Sequence, residues 1–310
     1  MSSVQPAELA VRAQTPRDAA GIAEVLNAHA SATGRPADET GERVERWFEL
    51  EDLDPARDMF LAVEGGKIVG YADVSAPGDA RDVLNVDLRV PPGRLHIVER
   101  LMEAVERRAA ELGDVGACIR APANDGDDDY RAALSRHGFR VVRSSFTMEI
   151  DLETPTEEPV WPGGLTSRPL GPGEERAVYD AYVEAFADHW GFVAESFADW
   201  RTWNLGPNQD TSLWRLVQVG GEIAALCMSA PSRDDDRTLG WVGVLAVRRP
   251  WRRRGLARAL LLESFGLFRS IGCQRAALGV DSENTTGALA LYEGVGMRVT
   301  SRSDTWERVL

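Results

Sequence analysis

The strongest constraint on the fold is that the chain carries one plan twice. GGKIVG begins at Gly65 and GGEIAA at Gly220, an offset of 155. Gly138-Phe139-Arg140-Val141 corresponds to Gly296-Met297-Arg298-Val299, an offset of 158, and in that register Thr147 and Glu149 fall on Thr305 and Glu307. A near-constant offset across most of a domain marks a duplication. Each glycine pair lies between apolar runs, Met59 to Val63 and Ile68 to Ala76 in the first copy, Leu213 to Val219 and Ile223 to Ser229 in the second. Both are therefore read as hairpins.

The same elements surround each hairpin. A short strand comes first, Leu9 to Val11 or Leu165 to Arg168, and two amphipathic stretches follow it. After the hairpin come a strand, a long amphipathic helix (Leu95 to Leu112, Gly255 to Ser270), a strand, a short helix and two closing strands. The order β-α-α-β-β-β-α-β-α-β-β implies an α/β fold, a mixed sheet with helices on both faces. Between the copies, Glu153 to Pro159 replaces periodicity with proline and charge, as a linker does. The expected domains are residues 1–152 and 163–310, joined by 153–162.

Composition matters here mainly for what it excludes. No apolar run approaches the roughly 20 residues that span a bilayer, and the first residues lack the basic-then-apolar pattern of a signal peptide. Cys118, Cys227 and Cys273 are far apart and form no CxxC pair, which fits free thiols in a reducing cytoplasm. The four histidines share no ligand spacing, so no metal is expected. A net charge of −14 disfavours general nucleic-acid binding. It also makes the arginines from Arg248 to Arg258 stand out.

All of those arginines but Arg258 lie between an apolar strand, Trp241 to Val247, and a helix that starts at Gly255. The spacing is Arg252-x-x-Gly255-x-Ala257. A glycine at a helix start lets a ligand approach the backbone, and the first-turn N–H groups and the macrodipole attract anions. The expected ligand is a phosphate or pyrophosphate. Downstream, VDSENTTGALALYEGVGM places Asn284 in a turn, a small-residue helix after Thr286 and Gly287, and Leu291-Tyr292 before Gly296-Met297.

These two motifs, in this order, resemble the signature of the GNAT acetyltransferase superfamily. The tandem layout is similar to mycothiol synthase and its relatives. The resemblance implies two tandem GNAT-like domains, with acetyl-CoA as co-substrate of the second and its pyrophosphate held by Arg252, Arg253, Arg254, Gly255, Leu256 and Ala257. Leu245 and Val247 would pair with the pantetheine arm through their backbone, Asn284 would contact that arm, and Tyr292 would protonate the departing thiolate. The implied reaction is acetyl transfer to a primary amine of a small molecule by direct attack in a ternary complex, in a cytoplasmic monomer or homodimer without metal. A non-catalytic acyl-CoA or small-ligand sensor of the same fold is the alternative.

Two departures from the family pattern stand out. Many members carry a glutamate on the fourth strand as base, but Leu239 to Gly243 has no carboxylate. Asp234, Asp235, Asp236 and Glu263 are near in sequence. His189 is a second candidate, as base or as a ligand for substrate, with Trp190 and Trp241 as walls of the acceptor pocket. The second departure is in the first copy, where Val90-Pro91-Pro92-Gly93-Arg94-Leu95 has lost the Arg-x-x-Gly spacing and Ala133-Leu134 stands where a Leu-Tyr pair is expected. The first domain is therefore expected not to bind acetyl-CoA productively.

Overall fold

The computed structural model describes all residues except 1–7, 34–36, 38, 51, 52, 77–80, 155, 207–209, 232–237 and 285. Its contacts divide the chain into two compact units, one of Met1–Ser144 with Ser303–Leu310, the other of Ser145–Arg302.

Unit 1 begins with β1 (Leu9–Ala13), α1 (Ala19–Ala32), α2 (Gly41–Trp47) and the single turn α3 (Pro55–Asp58). A capping box precedes α1. The Asp18 carboxylate accepts from Thr15 N–H at 2.7 Å, which satisfies a donor that the helix start leaves unpaired. The hairpin β2 (Met59–Glu64) and β3 (Lys67–Ser75) follows, then β4 (Val83–Arg89), α4 (Leu95–Leu112), β5 (Cys118–Asn124) and α5 (Asp128–Arg136). Strands β1 to β4 are antiparallel neighbours and β5 joins β4 in parallel. Ile97, Leu101, Met102 and Val105 of α4 pack on one sheet face, whereas Ile22 and Val25 of α1 and Val44 of α2 pack on the other.

Unit 2 repeats this with β7 (Ser167–Arg168), α6 (Glu175–Phe186), α7 (Phe197–Leu205), the hairpin β8 (Arg215–Val219) and β9 (Glu222–Pro231), β10 (Leu239–Val247), α8 (Leu256–Ser270), β11 (Arg275–Asp281) and α9 (Ala288–Gly294). Strands β7 to β10 are antiparallel and β11 joins β10 in parallel. Leu260, Leu261, Phe265 and Phe268 of α8 fill one face, and Val178, Ala181 and Trp200 of α6 and α7 fill the other.

The closing strands differ from the sequence expectation. Each expected pair is one long strand, β6 (Arg140–Asp151) and β12 (Arg298–Val309). The middles of these strands, Arg143-Ser144-Ser145 and Ser301-Arg302-Ser303, contain no glycine or proline to turn the chain. Ser145–Asp151 pairs antiparallel with β11 in unit 2, and Ser303–Val309 pairs antiparallel with β5 in unit 1. Each half of the chain thus completes the sheet of the other, an exchange that the contiguous division at 152 and 163 did not contain. Strand β5 starts only at Cys118. Gly116, at φ 86, turns the chain ahead of it, and Val115 is solvent-exposed.

Candidate active site

The site of unit 2 begins where two parallel strands part. Strand β10 pairs with β11 only from Leu239 to Val242, opposite Arg275 to Leu278. A bulge at Gly243 shifts the register of β10 against β9, and such bulges bend a strand and increase its local twist. Beyond it, β10 continues to Val247 and β11 to Asp281 without pairing to each other. The backbone of Val244 to Val247 is held on one side by β9 and open on the other. Leu245 and Val247 point their side chains into the core under α8.

The loop after β10 aims a helix start at this gap. Arg253 has φ 61 and Gly255 φ 87, and Gly255 is the N-cap of α8. Among the described residues no side chain caps this helix, and Ala259 is the first residue whose N–H reaches back, to the Gly255 carbonyl at 3.1 Å. The earlier N–H groups therefore have no intrahelical acceptor. A Cβ built on Gly255 meets nothing within 4 Å, so open space lies before these donors. Loop, glycine and donor set fit a pyrophosphate.

The arginines divide by task. Arg252 donates to the carbonyls of Val247 (3.0 Å) and Ala185 (2.9 Å) and to Asp188 (3.1 Å), so its guanidinium fixes the loop to the end of α6. Arg254 donates to the Pro250 carbonyl. Arg248 pairs with Glu184 and Glu222 and stacks over Trp251. Arg249 pairs with Asp188. Bonds to Arg249 first and Arg252 second hold the Asp188 carboxyl down at about 2. The Arg253 side chain has no hydrogen-bond partner among the described residues, and it reaches the start of α9, where a Cβ on Gly287 would lie 3.5 Å from its Nη1. Leu256 is buried and Ala257 half-buried in the first turn of α8.

Tyr292 lies in the last turns of α9, 7% exposed, packed with the α8 core. Burial pushes its phenol up to about 12, and Cys227 is a lesser cause. It stays protonated at neutral pH and is a donor. The Asn284 side-chain oxygen accepts from Thr286 N–H (2.8 Å) and Thr286 Oγ1 (2.6 Å), so that amide also shapes the turn into α9.

His189 follows α6 and is half-buried, its ring 4.3 Å from that of Phe186. Burial first, and the Arg252 charge second, lower its pKa, whereas Asp281 and Asp188 act in the opposite direction. It is neutral at pH 7. Trp190 and Trp241 are 40% and 39% exposed, large apolar surfaces left to solvent. Glu263 lies apart from these groups. It accepts from Ser167 Oγ and pairs with Arg215. Asp234, Asp235 and Asp236 lie outside the described residues.

The counterpart region of unit 1 is built differently. Strand β4 pairs with β5 only from Val83 to Asn85, so those strands part as well. There the Asp129 carboxylate of α5 accepts from Gly93 N–H at 2.6 Å and Arg94 N–H at 3.1 Å, at the start of α4. The offset of 158 that relates Gly138 to Gly296 relates Asp129 to Gly287 and Leu134 to Tyr292. Behind Asp129, Tyr71 donates to Asp73 (2.6 Å), Arg89 pairs with Asp87 (2.7 Å), and His29 bonds the Asp127 carboxylate (2.6 Å).

Known proteins share this sequence pattern and this fold. The sequence model of the Acetyltransferase (GNAT) family matches residues 176–297. A mycothiol acetyltransferase from Salinispora arenicola is 30% identical over 99% of this chain and 100% of its own. The chain belongs to the GNAT acetyltransferase family. A solved GCN5-related N-acetyltransferase from Sphaerobacter thermophilus is 32% identical, with TM-score 0.71 over 97% of this chain and 95% of that one. A tandem GNAT protein from the clavulanic acid biosynthesis pathway shares the fold at 17% identity, with TM-score 0.72 over 97% of this chain and 98% of its own.

GNAT acetyltransferases use acetyl-CoA, and among the described residues no group of three His, Cys, Asp or Glu side chains is placed to hold a metal. No described helix is long and apolar enough to cross a membrane. Two features of this enzyme escaped the sequence reading. One is Asp129, which reads as part of an acidic turn. The other is Glu149, which alternates with buried Met148 and so shows its face, but its partner strand lies more than a hundred residues away.

Proposed function

We propose that unit 2 transfers the acetyl group of acetyl-CoA to a primary amine of a small molecule by direct attack, and that unit 1 does not bind acetyl-CoA productively. The observation that carries this reading is the parting of β10 from β11 beside the uncapped, glycine-opened start of α8.

In this reading the N–H groups of Gly255, Leu256 and Ala257 hold the pyrophosphate, with the Arg253 charge beside them. Arg252 and Arg254 hold the loop in shape. The pantetheine arm lies along the open edge at Leu245 and Val247, as an added strand would. A strand N–H beyond the bulge polarises the thioester carbonyl. The amine attacks that carbon and loses a proton, for which neutral His189 is the acceptor. The C–S bond breaks as the tetrahedral intermediate collapses, and the Tyr292 hydroxyl donates its hydrogen bond to the departing thiolate. Most of the acceleration comes from holding amine and thioester together.

The relatives named mycothiol acetyltransferase make des-acetyl mycothiol the first acceptor to try. Calorimetry with acetyl-CoA tests the core of the proposal. One site per chain, lost in Gly255→Glu, is expected. No binding, or two equal sites, overturns it. Tyr292→Phe then separates an enzyme from a sensor, because an enzyme loses turnover and keeps cofactor affinity.

A further inference from the structure

We propose that Glu149 is the carboxylate that holds the acceptor's ammonium group beside the reacting carbon, in place of the one that β10 lacks. This role rests on the acetyl-transfer reading of unit 2.

The argument is one of sheet faces and register. Ala276, Leu278 and Val280 of β11 are buried in the core under α8. Side chains alternate along a strand, so Arg275, Ala277, Gly279 and Asp281 rise from the opposite face. Across the sheet, Trp241 of β10 stands beside Ala277, and Ala277 stands beside Glu149 of β6. Met148 is buried in the same core under α8, which puts Glu149 on the face of Ala277. Strands lie about 4.8 Å apart, so the indole and the carboxylate flank one small residue with their backbones about 10 Å apart. The next position of β11 on that face is Gly279, which is exposed and pairs with Thr147. It lies just past Val242 and Leu278, the last paired residues before the strands part. Trp241 and Glu149 thus flank the buried Ala277, and a trough floored by the exposed Gly279 leads from beside them to the gap proposed for the thioester.

Glu149 is placed, not loose. Arg275 donates to one oxygen at 2.8 Å and Thr300 to the other at 3.3 Å, and the side chain is 24% exposed. An ionised carboxylate has about four acceptor positions, so two remain for an ammonium group. Trp241, largely exposed on the other side of Ala277, adds an aromatic ring of the kind that attracts cations. Asp281, at the far end of the trough, adds a negative charge that acts on His189. An aromatic wall, an anchored carboxylate and an open glycine floor suit a protonated primary amine that gives up its proton on reaching the gap. They do not suit a carboxylate-bearing acceptor.

The test compares the wild type with Glu149→Gln and Glu149→Asp, using des-acetyl mycothiol, glucosamine, cysteamine and putrescine as acceptors. With whichever amine the wild type acetylates, Glu149→Gln is expected to raise KM about tenfold or more, the value of one charge-assisted hydrogen bond. Its kcat stays within about threefold, about 0.65 kcal/mol, and its acetyl-CoA Kd is unchanged. Glu149→Asp recovers part of the loss. Were Glu149→Gln unable to fold, the Asp variant alone carries the comparison, because a shortened carboxylate still raises KM at constant acetyl-CoA Kd. An unchanged KM, or a parallel loss of acetyl-CoA affinity, overturns the role of Glu149 and leaves acetyl transfer standing. If the wild type acetylates none of the amines, the acetyl-transfer reading falls, and this role with it.

Discussion

The two crevices of this chain start from one backbone plan and end in opposite states. In both units a parallel strand pair opens after its first few residues, and a long helix points its start at the opening. Unit 1 answers its helix start with its own carboxylate, Asp129, and carries Asp73, Asp87 and Arg89 on the sheet face opposite α4. Unit 2 has Gly287 where Asp129 would stand, Gly255 at the helix start and Gly279 at the strand end. The difference teaches that a duplicated crevice closes to anions from two sides at once, by an internal acceptor at Asp129 and by prolines at 91 and 92 that remove donors. Unpaired N–H groups carry a cost wherever water is excluded, so a copy released from binding gains stability by pairing them itself.

The sharpest way to break the comparison is to give unit 2 the carboxylate of unit 1. Gly287→Asp is expected to weaken acetyl-CoA roughly 100-fold or more, about 3 kcal/mol, by placing a negative charge beside Arg253 and the pyrophosphate site. Part of any stability loss in that variant comes from the residue's φ of 84, so Gly287→Ala serves as the control for strain, and calorimetry reads both. Unchanged affinity in the Asp variant would mean that Gly287 is far from the pyrophosphate.

Next in size, Tyr292→Phe is expected to lower kcat about 10²-fold, the lower end for loss of a general acid, at constant acetyl-CoA Kd. Steady-state kinetics decides this, and a rate within twofold of wild type removes Tyr292 from the mechanism. In unit 1, Leu134 already occupies that position, so no catalytic loss is expected from Leu134→Met.

Asp129→Ala tests the internal acceptor directly. Unit 1 should lose about 1–2 kcal/mol, as helix caps do, measured by urea unfolding. It should gain at most weak anion binding, because Pro91 and Pro92 offer no N–H. A second acetyl-CoA site of full affinity in this variant would show that Asp129 alone had closed the crevice.

The smallest effect is a pH dependence. Burial first and Asp87 second push the Asp73 carboxyl up to about 7. The folded unit therefore keeps a proton that the unfolded chain releases near pH 4. Between those values the folded state holds more protons, and stability falls as pH rises from about 4 to about 7. Asp73→Asn stays neutral throughout, so its Tm should exceed that of the wild type at pH 8 and the gap should close towards pH 5. Parallel Tm curves across that range would contradict the assignment.

Much of this was legible in the sequence for physical reasons. Periodicity and hairpin glycines mark helices and strands, and the site proposed at the α8 start rests on a short local pattern around Gly255. What stayed hidden depends on partners distant in the chain. Arg252 reads as an anion ligand until its guanidinium is seen spent on Val247, Ala185 and Asp188. Glu149 reads as a first-half residue until β6 is paired with β11. The long closing strands were missed because two runs of β-forming residues with a polar middle look like a hairpin, although no residue at Ser144 or Arg302 makes a turn.

That exchange of closing strands bears on how the polypeptide is made and inherited. A ribosome that has finished β5 has not yet made Ser303–Val309, the strand that β5 needs beside it. Unit 1 therefore waits with an unprotected edge while the whole second half is translated, and such edges invite wrong partners. The gene, for its part, cannot be split at the linker without leaving each product one strand short. Fission would have to be accompanied by reversal of the exchange, so a duplication of this form tends to stay joined.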